Sequence, residues 1–198
     1  MSTQYPALEF QSMPVGAGYA RPEQTFPGGL GVDSPALEAM TDLRRVTALT
    51  VERTNTLAST RERMRKLGVR MLLVTGSTGA VMGVITVTDL DSDRPAKIAA
   101  KSGEQVDELL VQDIMTLRGR IEVLQLADVE KASIGQILSS LRDAGRRHAL
   151  VLDSAPDDEQ HLICGIFSLT RLCGQIGLSI QPGDPMASIE EALRPVIG

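Results

Sequence analysis

An internal repeat is the feature of this 198-residue sequence that most constrains its fold. The matched segments are residues 40–51 with 115–126 at an offset of 75, residues 64–74 with 141–151 at 77, and residues 83–86 with 165–168 at 82. The small increases in offset correspond to short insertions between elements. A duplicated supersecondary unit usually buries its apolar face against its twin. The repeat therefore predicts one two-repeat module and not two unrelated domains.

Both repeats predict the same order of elements. Apolar periodicity indicates a short strand, a helix, a buried strand, a return strand and a closing helix in each repeat. Ser133 and Gln136 have the spacing of a capping box at the start of the second-repeat helix. Gly68 and Gly145 predict where the two helices end. The predicted strands cover residues 47–51, 70–74 and 81–85 in the first repeat and 122–126, 147–152 and 162–167 in the second. The fold class is therefore α/β, with two β-α-β-β-α repeats packed as one module.

The ends of the chain differ from this body. Residues 1–33 hold four of the five aromatic residues and four of the ten prolines, so they are predicted as an extended arm, with a disordered tail as the alternative. A short helix suited to docking is predicted at 188–193, after Pro185. The predicted organisation is an arm over 1–33, a first repeat over 34–97, a second repeat over 98–180 and a C-terminal tail over 181–198.

Composition excludes several classes of function. The net charge of −5 and the absence of a Lys/Arg run argue against nucleic-acid binding, and no apolar stretch approaches the roughly 20 residues that span a bilayer. The sequence has two cysteines, Cys164 and Cys173, and two histidines, His148 and His161, which are too few for a structural zinc site. The cysteines form no disulfide framework and fit a reducing cytoplasm. No catalytic motif stands out, so no enzymatic activity is expected.

Two motifs carry a family resemblance. Residues 83–89 read Gly-Val-Ile-Thr-Val-Thr-Asp at the end of the first repeat, and residues 113–116 read Asp-Ile-Met-Thr at the start of the second. In register with the repeat, they resemble a tandem pair of CBS domains, a Bateman module, over about residues 36–178. The resemblance implies an adenosine-containing ligand (AMP, ADP, ATP or S-adenosylmethionine, sometimes NAD) in clefts between the repeats, with no required cofactor. It also implies a homodimer that regulates a separate effector protein.

The resemblance makes Thr86 and Asp89 the first candidate site residues. A carboxylate such as Asp89 can accept hydrogen bonds from both hydroxyls of a ribose, and the Thr86 hydroxyl can bind a phosphate or ribose oxygen. The alternative is structural, because Thr-x-x-Asp is also a capping pattern for the helix that follows.

The second repeat departs from this motif. Ser168 keeps the hydroxyl, but Arg171 stands where the family has the aspartate, which makes a second adenosine in the same pose doubtful. Arg171 is interpreted either as reaching the phosphates of a nucleotide held by Asp89 or as an exposed helix arginine.

The remaining candidates flank predicted strands. Arg147-His148 occupies the place where the gamma subunits of AMP-activated kinases, by resemblance, have a pair that meets phosphate, and the alternative is that these residues solvate a helix end. The other candidates for the nucleotide site are Thr47, Ala48, Arg70 and Met71. Two hypotheses follow: an adenosine-sensing regulatory module, or a ligand-independent interaction module with empty clefts.

Overall fold

The computed structural model describes residues 29–154 and 161–178. The strands found there are β1 (Thr41–Asp42), β2 (Thr50–Glu52), β3 (Met71–Thr75), β4 (Val81–Thr86), β5 (Thr116–Leu117), β6 (Val123–Gln125), β7 (His148–Asp153) and β8 (Leu162–Ser168). The helices are α1 (Ala36–Ala39), α2 (Leu57–Leu67), α3 (Val87–Asp91), α4 (Arg94–Ser102), α5 (Val111–Ile114), α6 (Leu126–Val129), α7 (Ile134–Asp143) and α8 (Leu169–Gln175). Single turns of 3-10 helix lie at Val106–Glu108 and Arg118–Arg120.

The predicted order of elements is confirmed in both repeats. The first repeat runs β2-α2-β3-β4-α3, and the second runs β6-α7-β7-β8-α8 with the short α6 inserted after its first strand. In each repeat the first strand pairs parallel with the second, which pairs antiparallel with the return strand. The prediction of a strand from residue 47 was wrong by three residues, because pairing of β2 with β3 begins where Thr50 lies opposite Leu73. Residues 47–49 instead form a loop before β2.

Local signals in the sequence fix the ends of the main helices. The predicted capping box forms at α7: the Ser133 amide donates to Gln136 Oε1 over 2.9 Å, and the Gln136 amide donates to Ser133 Oγ over 3.4 Å. Gly68 ends α2 with a φ of 64°, and Gly145 follows α7 with a φ of 62°. Glycine adopts this left-handed conformation without the steric cost that a Cβ brings. The chain therefore turns sharply into β3 and β7, the strands that lead to the candidate site.

The two repeats exchange their entry strands. β5 belongs to the second repeat in sequence but pairs with β4 of the first, with Thr116 opposite Val84. β1 belongs to the first repeat in sequence but pairs with β8 of the second, with Thr41 opposite Ile166. The two sheets consequently have the orders β2-β3-β4-β5 and β1-β8-β7-β6. Each sheet is completed by a strand from the other half of the sequence.

The buried cores follow the same exchange. The first core consists of Val51, Leu57, Met64, Leu72, Val74, Ile85, Leu90, Ala99, Leu109, Val111, Ile114 and Met115. The second consists of Ala36, Ala39, Met40, Leu126, Val129, Ile134, Ile137, Leu138, Leu141, Val151, Cys164, Phe167, Leu169, Leu172 and Cys173. Helix α1 thus packs in the second core and α5 in the first. A division of the chain near residue 97 separates the sequence repeats but cuts across both cores.

Several predictions concern segments outside the described residues. They are the arm over residues 1–28, the C-terminal tail over 181–198 with its helix at 188–193, and the loop over 155–160. The end of the predicted arm that the structure does describe packs on the second repeat, where Leu30 and Val32 lie against the second core. The Gly135 amide donates to the Val32 carbonyl over 2.7 Å, so this stretch continues into α1 along the edge of α7.

Candidate ligand clefts

Two clefts lie between the repeats and have equivalent walls. Cleft 1 has a volume of about 370 Å³ and is lined by Met71, Val84, Thr86, Thr88, Asp89, Thr116, Arg120, Ile121, Glu122, Gly145, Arg146, Arg147, His148 and Leu150. Cleft 2 has a volume of about 550 Å³ and is lined by Thr41, Leu43, Val46, Thr47, Leu49, Gly68, Val69, Arg70, Met71, Leu73, His148, Ile166, Ser168, Thr170 and Arg171. Most lining positions of one cleft match those of the other at the repeat offsets. The exchanged strands β5 and β1 each supply a threonine.

The Thr86–Asp89 pair in cleft 1 forms a complete capping box. The Thr86 amide and hydroxyl both donate to Asp89 Oδ2, over 2.8 and 2.7 Å, and the Asp89 amide donates to Thr86 Oγ1 over 3.2 Å. The structural alternative for this motif is therefore present. It leaves capacity for a ligand, because an ionised carboxylate has about four acceptor positions and Oδ2 uses two of them. Oδ1 accepts no hydrogen bond from the described residues.

Three arginines of the second repeat form the basic side of cleft 1. Arg146 is already engaged, since its Nη2 lies 2.6 Å from Glu122 Oε2 and its Nη1 donates to the Glu122 carbonyl over 3.4 Å. Arg120 and Arg147 are exposed and form no ion pair within the part of the chain that the structure describes. Guanidinium groups match phosphate oxygens in a bidentate geometry. Arg120 and Arg147 are thus the guanidinium groups of cleft 1 that no described residue pairs with.

His148 lies on the wall that the two clefts share. Burial, together with the positive charges of Arg70 and Arg147, lowers the pKa of His148 to about 4. The imidazole is therefore neutral at pH 7 and offers one donor and one acceptor instead of a positive charge. Its equivalent in the first repeat, Met71, also lines both clefts. Strand register explains both positions, because Met71 lies opposite Thr86 and His148 lies opposite Ser168.

The predicted site residues divide between the clefts. Thr86, Asp89 and Arg147 line cleft 1, whereas Thr47, Arg70, Ser168 and Arg171 line cleft 2. Met71 and His148 line both, and Ala48 lines neither. Arg171 lines cleft 2 and is absent from the lining of cleft 1, where Asp89 lies. The motif residues of α3 and of α8 face different clefts, because each closing helix follows the return strand of its own sheet.

The sequence interpretation missed the part of cleft 1 that the second repeat contributes ahead of β6. These residues are Thr116, Arg120, Ile121 and Glu122. The signal that could have found them was the offset of 75, which places Glu122 at the position of Thr47 and Ile121 at that of Val46. Thr88, between the two motif residues of α3, was also missed. It lines cleft 1 as its equivalent, Thr170, lines cleft 2.

Comparison with known proteins gives a family match for the first repeat. Residues 38–92, which span that repeat, match the family model described as CBS domain. The first repeat matches the CBS-domain family. The solved structures that the chain resembles include an uncharacterized conserved protein from Pyrococcus horikoshii, with 20% identity, a TM-score of 0.54, and 78% of this chain and 100% of that one covered. A CBS-domain-containing protein from Agrobacterium tumefaciens has 20% identity and a TM-score of 0.50, over 67% of this chain and 88% of that one.

A conserved CBS-domain protein of unknown function from Thermoplasma acidophilum has 15% identity and a TM-score of 0.50, over 79% of this chain and 78% of that one. These likenesses extend the CBS fold to both repeats. No curated protein matches the sequence. Among the described residues, no helix combines the length and apolar character that crossing a membrane requires, and no three His, Cys, Asp or Glu side chains group as metal ligands would.

Proposed function

We propose that the protein is a non-catalytic regulatory CBS module that binds an adenosine-containing ligand in cleft 1. The observation that carries this proposal is the placement of Asp89 and Arg147 on opposite repeats but in one cleft. A carboxylate with a free oxygen can accept from the ribose hydroxyls while a guanidinium across the cleft binds phosphate. The candidates are AMP, ADP, ATP and S-adenosylmethionine, which share the adenosine.

The shape and composition of cleft 1 support a small ligand of this kind. Its volume of about 370 Å³ falls within the usual range of small-molecule sites, roughly 300–1,000 Å³. Phe167, the one aromatic residue of the sequence after residue 26, is fully buried in the second core and lines neither cleft. An adenine in cleft 1 would accordingly lie against aliphatic side chains such as Val84, Ile121 and Leu150.

Ligand binding between the repeats provides a route to regulation. Cleft 1 takes its lining from both sheets, so a bound nucleotide would link the two halves of the module. A ligand stabilises whichever arrangement binds it better, and a separate effector protein could respond to the change. A homodimer in the cytoplasm is part of this proposal, and the two buried free cysteines, Cys164 and Cys173, fit a reducing compartment.

Calorimetric titration with AMP, ADP, ATP and S-adenosylmethionine tests the proposal. We expect at least one of them to bind, and Asp89→Asn to weaken binding at least about tenfold, because the variant offers the ribose a donor in place of an acceptor. Asp91→Asn is the matched control: Asp91 is exposed in the same helix, pairs with Arg61 and lies outside both clefts. No binding by any of the four, or equal losses in the two variants, would favour the ligand-independent interaction module.

A further inference from the structure

Cleft 2 has positively charged residues without the acidic residues that accompany them in cleft 1. Arg70 and Arg171 line cleft 2, and no Asp or Glu is among its lining residues. Cleft 1, by comparison, has Asp89 and Glu122 beside its arginines. The side chains of Arg70 and Arg171 form no ion pair or hydrogen bond with another described residue. An unneutralised pair of guanidinium groups in a protein of net charge −5 attracts anions locally.

The replacement of aspartate by Arg171 also frees a hydroxyl group. In cleft 1 the Thr86 hydroxyl is held in the capping box by Asp89. At the start of α8 the equivalent Ser168 makes no side-chain capping bond. Arg171 also has no acceptor that could hold the Ser168 hydroxyl as Asp89 holds that of Thr86. Ser168 thus remains a donor and acceptor at the wall of cleft 2. The carboxylate that would read a ribose diol is absent, and the groups that bind an acidic headgroup are present.

The rest of cleft 2 is mostly apolar and open to solvent, with Thr41, Thr47, Thr170 and His148 as its other polar side chains. Leu43, Val46, Leu49, Val69 and Ile166 line it, and Val46 is 50% exposed. Its volume of about 550 Å³ exceeds that of cleft 1 by about half. An apolar group that covered these side chains would gain roughly 25 cal/mol for each Å² removed from water. Cleft 2 therefore combines a wall for a hydrocarbon body with two cations for an acidic group.

We propose that cleft 2 binds an amphipathic organic anion, an apolar body that carries a phosphate monoester or a carboxylate, and that it does not recognise a ribose. Arg171 and Arg70 hold the acidic group, Ser168 hydrogen-bonds to it, and the aliphatic wall contacts the body. This inference concerns a different cleft from the proposed adenosine site and stands independently of it. The protein would then respond to two ligands of unlike chemistry.

Methyl NMR separates the two clefts within the intact protein. The Ile166 methyl reports cleft 2 alone and the Ile121 methyl reports cleft 1 alone, and each signal can be assigned from an Ile→Val variant. The probes are 1-naphthyl phosphate, 1-naphthoate, inorganic phosphate and adenosine. We expect 1-naphthyl phosphate or 1-naphthoate to shift Ile166 without shifting Ile121, at concentrations at least about tenfold below those needed with inorganic phosphate. The naphthyl probe that shifts Ile166 at the lower concentration identifies the preferred acidic group as a phosphate monoester or a carboxylate.

Substitution of Arg171 provides the decisive comparison. We expect Arg171→Gln to weaken the naphthyl anion about tenfold or more, as the loss of a charge-assisted hydrogen bond does. Arg147→Gln, the matched change in cleft 1, should leave this binding within about twofold. Arg171 is exposed, and unchanged methyl signals elsewhere would verify the fold of the variant. The proposal is overturned if neither naphthyl anion shifts Ile166, if Arg171→Gln binds as the wild type does, or if uncharged adenosine shifts Ile166 at a lower concentration. None of these outcomes bears on AMP binding at Ile121, which tests the adenosine site.

Discussion

The backbone amide and the side-chain hydroxyl of Thr86 both donate to a single oxygen of Asp89, Oδ2. The same residue can therefore stabilise α3 through one oxygen and accept from a ligand through the other. Capping and ligand binding are not competing interpretations of this motif, because they use different lone pairs.

Asp89→Ala and Asp89→Asn should separate the two roles. The alanine variant loses the carboxylate bonds of the capping box and the ligand acceptor, while its amide still donates to Thr86 Oγ1, so we expect the free energy of unfolding to fall by about 1 kcal/mol and AMP affinity to fall with it. The asparagine variant keeps a side-chain oxygen for the Thr86 amide, so most of the stability should remain although the affinity is lost. Urea denaturation and calorimetry measure the two quantities. Equal loss of stability in both variants would contradict the division of labour between the two oxygens.

Gly83 and Gly165 occupy equivalent positions but face different neighbours. A Cβ at Gly83 would clash with the carbonyl oxygen of Thr116 in the exchanged strand β5, whereas a Cβ at Gly165 would meet the flexible end of Met40. The backbone of β5 cannot move away without breaking its pairing with β4, so Gly83→Ala should destabilise the protein by about 2–3 kcal/mol. The Met40 side chain can move, so Gly165→Ala should destabilise it by about 1 kcal/mol. Chemical denaturation measures both, and Gly119→Ala, whose Cβ would have no neighbour within 4 Å, is the control. A larger loss for Gly165→Ala than for Gly83→Ala would refute this ranking.

His148 should make stability depend on pH below neutrality. Its pKa of about 4 in the folded protein lies below its ordinary value of 6.5, so between these values the unfolded chain binds the proton and the folded protein does not. Stability is therefore complete above pH 6.5 and decreases as the pH falls toward 4, by up to about 3 kcal/mol. Unfolding curves over this range should show the decrease in wild type and a smaller one in His148→Gln. Parallel curves for the two proteins would show that His148 titrates normally.

Glu122 limits the positive charge that cleft 1 presents. Its carboxylate pairs with Arg146 at 2.6 Å, and at 81% side-chain exposure the pair contributes little to stability. Glu122→Gln should leave the unfolding free energy within about 0.5 kcal/mol but free Arg146 for phosphate, so ATP should bind about two- to fivefold more tightly. Uncharged adenosine is the control ligand, since its affinity should not change. The gain for ATP should also shrink as salt is added, and a gain that persists at high salt would argue against an electrostatic cause.

Sequence patterns predicted which helices and strands form better than they predicted which strands pair with each other. The capping box at Ser133 and the glycine at 145 are local signals, and local backbone chemistry was enough to locate α7. The exchange of β1 and β5 leaves no such signal, because two-residue strands show no periodicity and their pairing depends on contacts distant in sequence. The placement of Arg171 in cleft 2 was hard to predict for the same reason. Its helix was predicted correctly, but the cleft it faces is decided by the packing of two sheets.

The exchanged strands also bear on how such a module could have arisen. A single copy of the repeat would lack the edge strand that its sheet receives from the other copy, and it would expose the apolar residues that the entry helix covers. Open strand edges readily pair with another chain. An ancestral half-length chain would then have folded only as a swapped homodimer, with one binding cleft duplicated by exact symmetry. Joined in one chain, the two copies need not be symmetric, and Arg171 can stand in one cleft at the position that Asp89 occupies in the other.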